Sequence, residues 1–284
     1  MKIGILTDKI HVGSTPKVIG EEVKYLRELG HDAEGISIME GLPGGDQYRD
    51  FLQDIPLRLL AKEFPALLKR LSFKFPLFAF FSTIHLMSPF LSARAIKDGE
   101  YDAIVAHATY TCVTTRRLWK KKRIPYFAFI WDPISYILPK CYSDSPLRYA
   151  FPVLRPMGAR LDRYLVQDSL AVITCSHFHV NLLRSLTDRP IEIVYPGCEP
   201  IEEIPPSRGD YILAVDRWDV GNTPNKLLGM LKLMPEKAKL LVVGFWYPPQ
   251  LRESFEKEIQ KEGLTGRVEV RGPANKEMLR KLYS

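Results

Sequence analysis

The sequence predicts an α/β protein of two doubly wound, parallel-sheet domains, the second incomplete. Three observations carry that reading. Short β-branched runs alternate with helical patterns along the chain. A proline-rich stretch, YPGCEPIEEIPPSRGD (Tyr195 to Asp210), separates one such alternation from a second. A length of 284 residues is enough for two cores. The domains are expected at 1–200 and 201–284, two separate sheets meeting at a cleft.

KIGILT supplies the first strand. Thr15 and Pro16 read as cap and first residue of a helix whose Ile19, Val23 and Leu26 share a face and which Gly30 ends. Strand Glu34 to Ile38 follows, then a long irregular stretch. The pattern resumes with strand Ala103 to Ala106, a helix through Arg117, strands Tyr126 to Ile130 and Ala171 to Thr174, a helix capped by Ser176, and strand Ile191 to Val194. Beyond the linker come strand Tyr211 to Val215, helix Pro224 to Leu233, strand Lys239 to Val243, helix Pro249 to Glu262, strand Val268 to Arg271 and a helix starting near Lys276. Three strands and a short last helix leave sheet surface and an edge uncovered, so the chain is expected to be a fragment of a longer protein, inactive by itself.

Composition is that of an ordinary globular protein, 46% hydrophobic and 26% charged. Cys112, Cys141, Cys175 and Cys198 are far apart with no C-x-x-C pair, which speaks against a disulfide framework and a zinc site and for a reduced, cytoplasmic protein. MKIGILTD is too short an apolar run for a signal peptide. The net charge of +7 concentrates in RRLWKKKR (Arg116 to Arg123) and in Arg58 to Lys74, a bias toward phosphate, anionic lipid or nucleic acid. RRLWKKKR sits at a helix carboxyl end and reads as a solvated face. No nucleic-acid module accompanies it, so nucleic acid is not expected as a partner. Phe64 to Leu91 is rich in phenylalanine but is broken by Pro76, His85 and Pro89, too interrupted to span a bilayer. It reads either as a patch on an anionic membrane or as packing against the sheet.

Several chemistries are excluded by inspection. There is no G-x-G-x-x-G and no G-K-[ST], which removes the dehydrogenase and P-loop signatures. Ser176 is outside any G-x-S-x-G elbow. His177 and His179 diverge at a helix start with no third ligand near, and no D-x-D occurs, so no metal is expected. In YILAVDRWDVGNTPNKLL, Arg217 stands just past a strand and shortly before Pro224 opens a helix. A helix amino terminus there offers free N–H groups, and a guanidinium could fork onto a diphosphate. The alternative is a surface arginine pairing with Asp219.

Taken in order, LGHDAEGIS, YDAIVAHAT, AVITCSHF, EIVYPGCEP, ILAVDRWD, LLVVGFW and RVEVRGPANKEMLRKLY resemble segments of the retaining glycosyltransferases of family four, whose GT-B fold has two Rossmann-like domains. The resemblance spans nearly the whole chain. It implies transfer of a sugar, with retention, from a nucleotide-diphosphate sugar to a saccharide or lipid-linked acceptor. With no D-x-D, cationic and dipolar stabilisation of the leaving group is expected, with no metal or cofactor. The cysteine usage and the Phe64 to Leu91 stretch place the enzyme in the cytoplasm, peripheral at an anionic membrane. Arg217 matches the arginine that holds the donor diphosphate and stabilises it as it leaves. The lysine expected five residues later is Asn222 here, and Lys226, one turn into the helix, is the candidate substitute. Gly244 is similar to the glycine that admits the donor ribose and phosphates, and Arg271 with Gly272 resembles the loop beside the base. The family's glutamate pair would lie past Ser284.

On the acceptor side, Gly13 and Ser14 match the loop that brings backbone N–H groups to the transferred sugar, the plain reading of Gly13 being a turn. His107 corresponds to a catalytic histidine facing that sugar, its alternative being a satisfied strand-end residue. Asp132 in IWDP falls at a polar active-site position or opens an ordinary turn. A nucleotide-sugar epimerase of the same fold and a non-catalytic nucleotide-sugar or membrane binder are the rival functions.

Overall fold

Seven parallel strands make the sheet of the first unit, in the order β3-β2-β1-β4-β5-β6-β7. They are β1 (Lys2–Lys9), β2 (Asp32–Met39), β3 (Leu57–Leu59), β4 (Ala103–His107), β5 (Tyr126–Phe129), β6 (Val172–Thr174) and β7 (Ile191–Ile193). The computed structural model describes all residues except 11–13, 40–51, 53–54, 71–72, 74, 76–81, 144–145, 198–210, 220–221 and 284. The chain divides into Met1–Gly197 and Cys198–Ser284. Most of the expected linker, 198–210, lies outside the described residues.

Strand order reverses between β1 and β4, the arrangement of a doubly wound sheet and the place where such sheets bind ligands. The central strands are apolar on both sides because both faces are covered. On one face α1 (Ser14–Glu28) lays Ile19 and Val23 against Ile3, Ile5 and Ala33. On the other, Ile36, Ile104, Tyr126 and Ala128 meet α3 (Thr83–Ala95) through Leu91, α4 (Cys112–Lys122) through Leu118 and α6 (Phe151–Val166) through Leu165. Gly30 takes φ +85° just past α1 and ends that helix.

The long stretch read as irregular holds structure, and so does the span between β5 and β6, to which the sequence pattern assigns no element. Between β2 and β4 lie edge strand β3, α2 (Ala66–Arg70) and α3; between β5 and β6 lie α5 (Ile134–Cys141) and α6. β3, at three residues, is too short to show a period. α3 contains Pro89 and shows apolar residues on its outer side, which erases the amphipathic signature. Its proline leaves the carbonyl of His85 without a helical donor, and the hydroxyls of Ser88 and Tyr110 donate to that oxygen instead. α1 begins at Ser14, so Thr15 is already inside the helix rather than its cap.

Two readings of charge and apolarity need correction. RRLWKKKR is not wholly a solvated face: Arg116 is 4% exposed, with Nε 2.8 Å from Asp168 Oδ2 and its guanidinium 3.4 Å from the Tyr164 ring. Phe64 to Leu91 is divided. Phe64, Pro89 and Leu91 are core, Leu67, Phe73, Leu86, Met87 and Phe90 are exposed, and 71–72, 74 and 76–81 lie outside the described residues. Among the described residues no helix is long and apolar enough to cross a membrane.

The second unit is a smaller parallel sheet, β10-β9-β8, formed by β8 (Tyr211–Trp218), β9 (Lys239–Trp246) and β10 (Val268–Arg271). α8 (Asn225–Lys232), α9 (Gln250–Lys261) and α10 (Lys276–Tyr283) alternate with the strands. Leu228 and Leu231 of α8 and Phe255 and Ile259 of α9 close its core over Leu240, Val242 and Trp246. β8 and β9 each run three residues further than the apolar pattern suggests. β8 is an edge strand, so Asp216 and Arg217 continue it with their side chains in solvent.

Candidate functional site

In each unit the candidate residues collect at the carboxyl ends of the strands. In the second, Arg217 is the penultimate residue of β8 rather than a residue beyond it. Its Nη2 and Nε stand 2.8 and 3.1 Å from Asp219 Oδ2, so the guanidinium is engaged with the neighbouring carboxylate. Asn222 folds the loop back: its N–H donates to Asp219 O at 3.0 Å, it accepts from Asp219 N–H at 3.2 Å, and its Nδ2 donates to Arg217 O at 3.2 Å. The place of the expected lysine is therefore a loop-closing amide. Lys226 is exposed in the first turn of α8.

Gly244 sits in β9 opposite Asp216 with φ +152°, and a Cβ there would stand 1.8 Å from the carbonyl oxygen of Asp216. The close approach of β8 already demands a glycine at this position. Arg271 ends β10 with Nε 2.6 Å from Glu269 Oε1, a partner that raises its already high pKa, and Gly272 follows in open space. A cavity of about 90 Å³ lies beside the β8–α8 loop, lined by Trp218, Thr223, Asn225, Trp246, Ser254 and others. The Trp246 indole N–H is buried there without a partner among the described residues. The cavity is well short of the roughly 300 Å³ of a small-molecule pocket.

In the first unit His107 ends β4 at the switch point. It is fully buried, stacked on Phe129 with ring centroids 4.7 Å apart, and its Nε2 is 2.8 Å from Glu22 Oε2 on α1. Ala108 follows in the left-handed region, φ +73°, a conformation that costs an L-residue about 1 kcal/mol. Its N–H donates to Phe129 O at 2.9 Å, and the Thr111 hydroxyl lies 2.8 Å from its carbonyl oxygen. Glu22, not His107, carries this pair's exposed atoms. Sequence reasoning missed Glu22, although a carboxylate three residues from buried Ile19 in an apolar stripe was a readable signal.

Asp132, three residues past β5, has Oδ1 3.1 Å from His179 Nε2 in α7 (His177–Arg184). His179 Nδ1 is in turn 2.8 Å from the Ser176 hydroxyl, and that hydroxyl caps α7 by accepting from His179 N–H at 3.3 Å. The structure thus gathers Asp132, Ser176 and His179, while His177 faces solvent. Burial, with Asp132 nearby, pushes up the pKa of the adjacent Cys175 thiol. Gly13 lies outside the described residues, and Ser14 is the first residue of α1. Among the described residues no three His, Cys, Asp or Glu side chains cluster as metal ligands.

Comparison with known proteins bears on the fold and the family. HepE of Anabaena, solved with UDP and glucose, superposes with a TM-score of 0.66 at 15% identity, over 96% of this chain and 70% of HepE. Sucrose-phosphate synthase of Thermosynechococcus elongatus gives 0.69 at 13%, over 100% and 73%. TarM of S. aureus gives 0.67 at 9%, over 99% and 78%. At such identities the likeness speaks for the fold, the two parallel-sheet units of GT-B architecture. Among curated proteins no significant sequence match is found. In sequence, the glycosyl transferase 4-like domain matches residues 15–197, more than half of the chain. The chain belongs to the glycosyl transferase 4-like family.

Proposed function

We propose that this glycosyltransferase moves a sugar, with retention, from a nucleotide-diphosphate sugar held on the second unit to a saccharide or lipid-linked acceptor held on the first. The observation that carries the reading is Arg217 at the carboxyl end of β8, exposed and paired with Asp219 just before α8. An ion pair this exposed is worth about 0.2–1 kcal/mol. A diphosphate, with more charge and room for both arms of the guanidinium, displaces the carboxylate readily. The N–H groups opening α8 and the exposed ammonium of Lys226 add to the field that stabilises the leaving diphosphate without a metal. HepE, a neighbour in fold, was solved with UDP-glucose, which supports a nucleotide-sugar donor. Retention rests on the family resemblance. We place the enzyme in the cytoplasm, peripheral at an anionic membrane.

Calorimetry of the protein with UDP and UDP-glucose, against the same titration without nucleotide, tests donor binding. Proton NMR of the product reads the anomeric outcome, and chelation should leave turnover unchanged. An inverted product would remove retention, and loss of activity on chelation would remove the metal-free course. Asn222, a loop-closing amide where the family resemblance expects a lysine, favours the second reading, a nucleotide-sugar binder. That reading predicts donor binding with no transfer to any acceptor.

A further inference from the structure

α3, α4 and α6 cover one face of the seven-stranded sheet side by side, α4 packing against both others. The outward side of this layer is apolar. On α3, Leu86 and Phe90 are 51% and 42% exposed. On α6, Val153, Met157 and Leu161 recur every four residues, Tyr164 closes the same stripe, and all four are exposed. The two stripes flank α4, whose cations bridge them: Arg117 lies 5.0 Å from the Phe90 ring, and Lys120 lies 5.8 Å from the Tyr164 ring. Exposed apolar stripes of this kind, bordered by cations, mark an interaction site.

The charge of the layer identifies the partner. The three helices present cations at Arg94, at Arg117, Lys120 and Lys121 of α4, and at Arg155, Arg160 and Arg163. Their only acid, Asp162, is 2% exposed and bonded inward to Ile134 and Ser135. The neighbouring Asp98 and Asp168 pair with Lys122 and Arg116.

We propose that the α3–α4–α6 face docks on an anionic lipid surface, its apolar side chains entering the headgroup region and its lysines and arginines lying on phosphates. This rests on the membrane reading above and gives it a surface. A second copy of the chain is disfavoured, since a two-fold contact would set these cations against themselves. A polyanion such as RNA would leave Val153, Met157 and Leu161 unrewarded.

The test is co-sedimentation of the protein with vesicles of phosphatidylcholine alone and with one third phosphatidylglycerol. Salt is raised from about 0.1 M, where screening acts over about 10 Å, to about 1 M, where it acts over about 3 Å. Binding is expected to the anionic vesicles and to be released by salt. Lys120→Glu with Lys121→Glu should weaken it at least about tenfold, at roughly 1 kcal/mol per charge near the surface. Met157→Ser with Leu161→Ser should weaken it by a similar factor without changing the salt dependence. Lys237→Glu with Lys257→Glu, the same charge change on the second unit, should leave it within twofold. Circular dichroism melts establish that each variant folds. Anionic binding that survives both face variants, or falls equally in the control, overturns the assignment of the surface and leaves the membrane reading standing. No sedimentation with either vesicle overturns both. A dimer dissociated by the Met157 and Leu161 changes would make the face a contact between copies and also overturn it. Sugar transfer in vesicle-free buffer is read separately, so the enzymatic reading stands or falls independently.

Discussion

Arg217 closes both arms of its guanidinium on one oxygen of Asp219, at 2.8 and 3.1 Å. A donor diphosphate must take over that guanidinium, so the pair competes with binding. Asp219→Asn should tighten UDP binding by up to about fivefold, the roughly 1 kcal/mol that an exposed ion pair can supply. Arg217→Ala should weaken it by about 1.5–3 kcal/mol and reduce turnover further, because charge grows on the leaving group. Arg217→Lys keeps the charge without the fork and should rescue in part. Calorimetry with UDP reads all three. Unchanged affinity in Arg217→Ala would leave the arginine a surface ion-pair residue.

Gly244 separates packing from ligand binding. A Cβ at this position meets the Asp216 carbonyl oxygen at 1.8 Å, and that oxygen belongs to the paired strand. Gly244→Ala should therefore destabilise the second unit by about 3 kcal/mol or more, through overpacking and backbone strain. Gly229, on the exposed side of α8 with nothing within 4 Å, provides the contrast. Gly229→Ala should stabilise by about 0.5–1 kcal/mol. Urea melts measure both. A Gly244→Ala protein of parental stability that fails to bind UDP would return the glycine to a purely donor-facing role.

Buried Asp162 supplies a pH signature. Its carboxylate accepts from Ile134 N–H, Ser135 N–H and the Ser135 hydroxyl at 2.8–2.9 Å, tying α6 to the start of α5. Asp162→Ala strands those donors and should cost about 3 kcal/mol. Burial raises the Asp162 pKa above the ordinary carboxylate range, and the three donors oppose this only in part. The folded state thus holds this proton more tightly than the unfolded state. The stabilisation it brings is full below the unfolded pKa, about 3.9, and is lost as pH rises through the raised folded value. Compared with Asp162→Asn, which cannot titrate, the parent should be relatively more stable at pH 4 than at pH 7. A relative gain toward pH 7 in paired urea melts would sink this assignment.

How much of this was legible in the sequence depended on distance along the chain. The second unit was readable element by element, because each strand there is followed by an amphipathic helix with a clear apolar stripe. Only the ends of β8 and β9 escaped: in β8 the polar Asp216 and Arg217 continue an edge strand into solvent, and in β9 Gly244 interrupts the apolar run although Phe245 and Trp246 pair on with β8. In the first unit α3 and α6 were hidden by Pro89, Pro152 and Pro156 and by apolar residues facing out. Arg217 was singled out from a strand end, where α/β sheets place their chemistry, and His107 and Asp132 from the family resemblance. Their partners were not all legible: Asp219 is two residues from Arg217, but His179 lies 47 residues from Asp132 and Glu22 lies 85 from His107. Such pairings are products of sheet order, which a local pattern does not encode.

The Glu22–His107 pair decides what the buried histidine does. His107 is enclosed, so a sugar can be reached from this pair only through the Glu22 carboxylate, which is 24% exposed. If the pair positions the donor sugar, Glu22→Gln should lower the rate of sugar release to water by about tenfold or more. A misplacement of about 1 Å at a reacting centre can cost up to 10²-fold. Because glutamine still accepts from the imidazole, stability should fall by less than about 1 kcal/mol. His107→Ala removes the ring stacked on Phe129 and strands Glu22, and should cost about 2–4 kcal/mol along with activity. Release is followed with whichever nucleotide-sugar calorimetry selects, so no acceptor is needed, and urea melts accompany each variant. Parental turnover in Glu22→Gln, with only His107→Ala impaired and in proportion to its lost stability, would make His107 a core residue whose ring completes the packing between β4 and α1.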